Sequence, residues 1–226
     1  MSDVMKMAGI SQTLLIYTGM VGIVYLGTDG FRKNAPFVFT LPVVVLGFIT
    51  LTTRMPMMRK VCTSASFFLL AAALYEWSMS PRRLEINASI ISAAHIFYLI
   101  SFLGCVKKWW KSLAICTVLF SVTFSYMVFA DLFRSLPWVV VACVAAHSSI
   151  GVTFVAAGSV WKKGSKVAFA ETAAFTRFIG IFFCYICDVA LLSNRFAKHT
   201  PQLVFYLNTT YYVSQYLLYF ANERAF

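Results

Sequence analysis

Six ionisable side chains occur inside long apolar segments of this 226-residue chain, where a charged group is costly. They are Glu76, His95, His147, Glu171, Arg177 and Asp188. Carboxyl and imidazole groups transfer protons and a guanidinium binds phosphate, so the set is suited to acid–base chemistry on a phospholipid. Because ionisable groups in hydrocarbon normally face the interior of a helix bundle, each is a candidate functional residue.

A structural explanation competes with the functional one at most of these positions. Glu171 lies about one turn into its apolar segment, which favours an interfacial position. Glu76 is close to a segment end and is equally well explained as a solvated end residue. His147 is more simply a neutral histidine bonded to a backbone carbonyl. Asp188 resists such an explanation, because an unpaired buried carboxylate is costly or takes up a proton.

Arg177 and Asp188 occupy the same predicted helix at different depths. Eleven residues are three helical turns, so the two side chains share a face but are separated by roughly 16 Å along the axis. They cannot pair directly. We hypothesise that they contact the two ends of one bound lipid, with the guanidinium at a phosphate and the carboxyl at the reacting bond.

The composition identifies the elements that must position these residues. Hydrophobic side chains make up 60% of the chain and charged ones 12%, which indicates a single polytopic membrane domain, residues 1–226, of all-α fold. Apolar runs between charged breaks predict about eight transmembrane helices. Their bounds are Gly9–Gly27, Pro36–Thr53, Val61–Met79, Ile86–Cys105, Trp110–Ala130, Leu136–Val160, Val167–Ser193 and Pro201–Ala221.

Basic residues are distributed unequally between the two predicted sides of the membrane. Eleven lysines and arginines flank the segments on the side of the termini and seven flank them on the other. The imbalance predicts cytoplasmic termini, and insertion through the endoplasmic reticulum if the source is eukaryotic. The net charge of +11 does not indicate a nucleic-acid-binding protein. The basic residues form short clusters between apolar segments, so we expect them to contact lipid head groups.

Two short motifs in the C-terminal third resemble the YhhN-type lysoplasmalogenase family. The segment from Arg177 through Asp188 to Phe196 resembles the family pattern R-x-G-x(7)-S-D-x-x-L-x-x-N-x-F, with the glycine one position later at Gly180, and Thr210–Leu217 resembles T-Y-Y-x-x-Q-x-L. Upstream, Ala94–Tyr98 is similar to the A-H-x-x-Y element of the fourth span. The resemblance covers roughly residues 60 to 220 in order and spacing.

The sequence departs from the family pattern at one position that bears on chemistry. The family carries a Gly-Asp pair on the third span, and Leu74 stands at or near the aspartate position. Glu76 offers a substitute carboxyl, but two residues along a helix turn it roughly 200 degrees toward the opposite face. Cys187 also replaces the usual serine. Family membership is therefore better supported than catalytic competence.

The resemblance implies hydrolysis of the vinyl-ether bond of a lysoplasmalogen to a fatty aldehyde and a glycerophospho head group. This chemistry needs a proton donor and a nearby anion, but no metal or other cofactor. Asp188 is expected in one catalytic role, with His95 or Glu76 in the other. The expected contacts of the substrate, a lysophospholipid, are Arg177, Asn194, Tyr211, Tyr212 and Gln215.

Two other functions remain open at the level of sequence. A catalytically silent relative would bind lysophospholipids without cleaving them, and the loss of the first aspartate favours this alternative. A small transporter would use the same buried charges as a relay. A weak parallel repeat of the third and fourth spans in the seventh and eighth, within a 4+4 arrangement, fits an enzyme and a carrier equally well.

Overall fold

Eight α-helices form the part of the chain that the structure, a computed structural model, describes, and they confirm the all-α fold class. Residues 2–79, 83–196 and 203–226 are described, with side chains from residue 12 onward. The helices are α1 (Ser2–Gly27), α2 (Pro36–Thr52), α3 (Met57–Met79), α4 (Leu84–Leu103), α5 (Lys111–Phe129), α6 (Pro137–Lys163), α7 (Ala168–Phe196) and α8 (Leu203–Ala225).

Several helices extend beyond the apolar segments that predicted them. The helix α1 begins at Ser2 instead of Gly9, α3 at Met57 instead of Val61, and α7 ends at Phe196 instead of Ser193. Polar residues such as lysine and arginine are good helix formers, so backbone hydrogen bonding continues past the end of the apolar run. The predicted start of the last span, Pro201, lies outside the described residues.

Five of the helices, α3 to α7, are long and apolar enough to cross a membrane. The apolar helical segment Gln12–Gly27 and α2 are shorter. In α8 the side chains of Tyr212, Ser214, Gln215 and Asn222 are buried inside the bundle, which lowers the apolar character of that helix without exposing polar groups to lipid. The protein is therefore a polytopic helical membrane bundle.

Six helices close into a ring, in the order α2, α3, α4, α6, α7, α8 and back to α2, while α1 packs outside against α2 and α5 against α6 and α7. Contacts from Asn222 to Thr63 and Ser101 place the start of α3, the end of α4 and the end of α8 at one end of the bundle, here called the C-terminal end. The other end, where α3 and α7 finish and α4 and α8 begin, is called the distal end.

Gly180 permits the close approach of α7 and α8. A Cβ atom at this position would lie 2.8 Å from Cδ2 of Leu218 and 3.1 Å from Cβ of Leu217. Such distances lie well inside van der Waals contact, so a larger residue at this position displaces Leu217, Leu218 or the helix that carries them.

We expect Gly180→Leu to lower the free energy of unfolding by about 1–3 kcal/mol, because it overpacks this helix contact. Thermal unfolding of the purified protein in detergent measures the change. Gly19→Leu is the matched control, since a Cβ at Gly19 meets nothing within 4 Å. Equal stability of the two variants would contradict the close contact.

Candidate active site

A cavity of about 140 Å³ opens in the distal half of the ring, between α3, α4, α7 and α8. The lining residues of α3 and of α7 each follow the spacing i, i+3, i+4, i+7, the spacing of one helix face. They are Leu70, Ala73, Leu74 and Trp77 on α3, and Cys184, Cys187, Asp188 and Leu191 on α7. The cavity wall is mostly apolar, so the few polar groups in it are the ones that can direct chemistry.

Asp188 faces this cavity and is bonded to His147 of α6. Oδ2 of Asp188 and Nδ1 of His147 lie 2.5 Å apart, and the two side chains are 10% and 1% exposed. Asp188 is thus a largely buried carboxyl that has a fixed hydrogen-bond partner and also lines the cavity.

A chain of hydrogen bonds continues from His147 away from the cavity. Nε2 of His147 lies 3.3 Å from the hydroxyl of Tyr185, which lies 2.8 Å from the hydroxyl of Ser121 on α5. The Tyr185 ring also stacks on the imidazole, with centroids 5.0 Å apart. When Nδ1 carries the imidazole proton it donates to Asp188 and Nε2 accepts from Tyr185; the other tautomer reverses both bonds. The chain therefore accommodates either protonation state of the carboxyl.

Two further polar side chains line the cavity with unsatisfied atoms. His95 of α4 is 3% exposed, and its Nδ1 has no hydrogen-bond partner among the described residues. The buried hydroxyl of Tyr211 on α8 also lacks a partner in the described part of the chain. Buried polar groups normally pair, so these two atoms are available to a water molecule or a ligand.

Arg177 lies apart from the cavity, contrary to the hypothesis that it and Asp188 hold the two ends of one lipid. Its fully buried guanidinium donates to Oδ1 of Asn222 at 2.9 and 3.3 Å and to the carbonyl of Ala221 at 3.4 Å. The ring of Phe102 covers it at 4.7 Å. Although Arg177 and Asp188 share a helix face, the guanidinium lies near the C-terminal end of the bundle. Protein atoms enclose it there and leave no room for a phosphate.

Glu76 and Leu74 have the relative placement that helix geometry predicts. Leu74 lines the cavity with Asp188, whereas Glu76 is half-buried on another side of α3 and is not part of the cavity wall. The expected catalytic role of Glu76 is therefore not supported by its position. The cavity wall therefore carries an apolar side chain at the position of Leu74.

Three of the predicted substrate contacts also lie off the cavity wall. Tyr212 donates its hydroxyl to the carbonyl of Phe39 at 2.8 Å and so joins α8 to α2. Gln215 donates to Sγ of Cys184 at 3.5 Å and to the hydroxyl of Ser214 at 3.3 Å, between α7 and α8. Asn194 is half-buried, beyond Asp188 on α7. Helix rotation decides these positions, because residues at equal depth point in different directions.

The structure gives His147, one of the six candidates, a partner that differs from the backbone carbonyl expected from the sequence: it binds Asp188, 41 residues away. Two further groups of the site are not among the residues that the sequence analysis names. Asn87 and Asn208 line the cavity mouth near Trp77. These two asparagines could have been predicted from the sequence, because a polar amide inside an apolar segment is expected to face protein rather than lipid.

The fold and the site together define a class: a polytopic helical membrane protein with a carboxyl–imidazole pair facing a cavity within the bundle. The model of the YhhN family matches residues 35–222, and the chain therefore belongs to this family. Comparisons with curated proteins and with solved structures give no match. The helix α1 lies outside the matched residues.

Proposed function

We propose that this protein is a lysoplasmalogenase-type hydrolase, which cleaves the vinyl ether of a lysoplasmalogen to a fatty aldehyde and a glycerophospho head group. The observation that carries the proposal is Asp188, a largely buried carboxyl that is bonded to His147 and lines a mostly apolar cavity. Membership of the YhhN family supports the same reaction class. The cavity holds the reacting ether rather than a whole lipid, whose chain extends between the helices into the bilayer.

Asp188 has the surroundings of a general acid. An apolar environment favours the neutral, protonated form of a carboxyl, which is the form that can donate. In the proposed first step the carboxyl gives its proton to the alkene carbon that is farther from the ether oxygen. The alkene electron pair forms the new C–H bond, and the ether oxygen shares its electrons to form an oxocarbenium ion.

The carboxylate left behind supplies the anion that this cation needs. It faces the oxocarbenium ion in a site of low dielectric, where the attraction is stronger than in water. A water molecule then adds to the cationic carbon and returns a proton to Asp188. The hemiacetal collapses to the aldehyde and the free glycerol hydroxyl, so the overall reaction consumes one water.

His147, His95 and Tyr211 have separate roles in this proposal. His147 holds the carboxyl in one orientation and, through the chain to Tyr185, adapts to its change of charge. The unsatisfied Nδ1 of His95 is assigned to the attacking water, and the Tyr211 hydroxyl to an oxygen of the lipid. Because Asp188 is both donor and anion in turn, the reaction does not require a second carboxyl.

One observation favours a second function, a catalytically silent protein that binds lysophospholipids. The cavity wall carries Leu74 where the family resemblance expects an aspartate. A site with one carboxyl retains the shape for a lipid but has less electrostatic stabilisation of the cation. Aldehyde release from a lysoplasmalogen by the purified, detergent-solubilised protein separates the two functions, with binding of the same lipid measured in parallel.

Leu74→Asp is expected to raise aldehyde release about tenfold, because a second carboxylate in the wall of the cavity stabilises the cation. Leu74→Asn is the control of equal size without the charge. If the unsubstituted protein binds the lipid without cleaving it, and only Leu74→Asp releases aldehyde, the unsubstituted protein is a catalytically silent relative. No gain in either variant would contradict the role given to this position.

A further inference from the structure

A second recess lies outside the ring, on the lipid-facing side between α1 and α8, and is named here the α1–α8 groove. It has a volume of about 490 Å³, against about 140 Å³ for the cavity at Asp188. Val21, Gly22 and Tyr25 line it from α1, and Phe205 and Val213 from α8. The wall is mostly apolar and the groove runs along the helices, which is the shape that a hydrocarbon chain fills.

The groove is separate from the candidate active site. Tyr211 points into the cavity at Asp188, whereas the next residue, Tyr212, lines the groove. The helix α8 therefore forms a wall between the two. The helices α1 and α8 meet where Tyr17 donates to the carbonyl of Tyr212 at 2.8 Å and stacks on Tyr216 with centroids 5.4 Å apart, and this contact holds the groove in shape.

At the distal end the groove continues into a recess of about 310 Å³ with a polar rim. Tyr25 and Phe205 line both spaces, and Asp29 and Arg32 are added at the rim. The two aromatic rings lie edge to face with centroids 6.3 Å apart. Asp29 and Arg32 are exposed, and neither has an ion-pair partner in the described parts of the chain.

A strained turn fixes these rim residues in place. Asp29, Gly30 and Phe31 all have positive φ, at 54°, 68° and 65°, which is costly for the two non-glycine residues. Buried Thr28 holds the turn: its hydroxyl accepts from the Phe31 N–H at 3.0 Å, and its carbonyl accepts from the Arg32 N–H at 2.9 Å. Strain that the surrounding structure maintains in this way is typical of ligand sites.

We propose that the α1–α8 groove and its rim bind a choline phospholipid of the bilayer. Aromatic faces beside a carboxylate are the groups that recognise a quaternary ammonium ion, and Tyr25, Phe205 and Asp29 supply them. Arg32 is placed for the adjoining phosphate. One hydrocarbon chain occupies the groove. The opposite charges of Asp29 and Arg32 thus match the two charges of the phosphocholine head group.

The test is photolabelling of the purified full-length protein in detergent by a phosphatidylcholine that carries a diazirine in one acyl chain. We expect labelled peptides from α1 and α8. Unlabelled phosphatidylcholine is expected to compete about tenfold better than phosphatidylethanolamine or phosphatidylglycerol, because only choline presents a quaternary ammonium to the rings. This lipid contains no vinyl ether, so the result is independent of whether the protein is a hydrolase.

Two variants separate the groove from general lipid contact. Gly22 lines the groove, and a Cβ at this position meets no atom within 4 Å, so Gly22→Leu fills the groove and should remove most of the labelling. Gly19 is in equally open space but outside the groove, so Gly19→Leu should retain the labelling. Tyr25→Leu should abolish the preference for choline. Labelling of Gly22→Leu equal to that of the parent, or equal competition by ethanolamine and choline lipids, would overturn the proposal.

Discussion

Asp188→Asn is expected to lower aldehyde release from a lysoplasmalogen by roughly 10²–10⁴-fold, the range for loss of a general acid–base group. Asparagine keeps the size of the side chain and can accept a hydrogen bond from His147, but it has no acidic proton to give to the alkene carbon. The measurement is the initial rate of aldehyde formation by purified protein at saturating substrate. Binding of the lipid should change little.

Glu76→Gln is the matched control for this variant. It removes another carboxyl of the bundle, half-buried and away from the cavity wall, and should leave the rate unchanged. His147→Phe should lower the rate by roughly 10²-fold, because the carboxyl loses the group that orients it. An Asp188→Asn protein that is folded and as active as the parent would exclude Asp188 as the acid.

Asn222→Leu is expected to cost about 3 kcal/mol of stability, because it leaves the buried Arg177 guanidinium without its main acceptor. Asn222 receives two hydrogen bonds from Arg177 and donates to Thr63 at 2.8 Å and Ser101 at 3.1 Å. One amide therefore links α3, α4, α7 and α8 at the C-terminal end. The shift in thermal unfolding in detergent measures the loss.

The double variant Arg177→Met with Asn222→Leu tests the physical reason. Nη1 of Arg177 has no partner among the described residues even in the intact network, so the charge is costly once Asn222 is gone. Replacing it with an apolar side chain should restore at least about 1 kcal/mol relative to Asn222→Leu alone. A double variant less stable than the single one would show that Arg177 is held by contacts other than Asn222.

Much of the fold could be predicted from the sequence because the membrane restricts the choice of structure. A segment in hydrocarbon must satisfy its own backbone hydrogen bonds, so each long apolar run becomes a helix. Helix ends are less predictable. The helix α1 begins seven residues before its apolar segment, because a helix satisfies its backbone hydrogen bonds in polar surroundings as well as in hydrocarbon.

Residue type and depth in the membrane predicted candidates for the site, but not the direction in which each side chain points from its helix. Asp188, His95 and Tyr211 line the cavity, while Tyr212 and Gln215 at the same depth do not. A hydrophobic pattern usually shows which face of a helix is buried. In α8 polar residues occupy several faces, so only the packing of its neighbours decides which of them contacts the cavity.

By itself the sequence determined that this is a helical membrane protein of the YhhN family with a carboxyl at Asp188 that needs a partner. The membrane character follows from composition, and the family from the resemblance of short motifs and the match of the family model over residues 35–222. Tertiary structure decided that the partner is His147, that Arg177 is bonded to Asn222, and that Leu74 lines the same cavity as Asp188. These facts concern side chains on different helices, and they depend on the rotation of each helix within the ring, which hydrophobicity toward lipid leaves nearly unspecified.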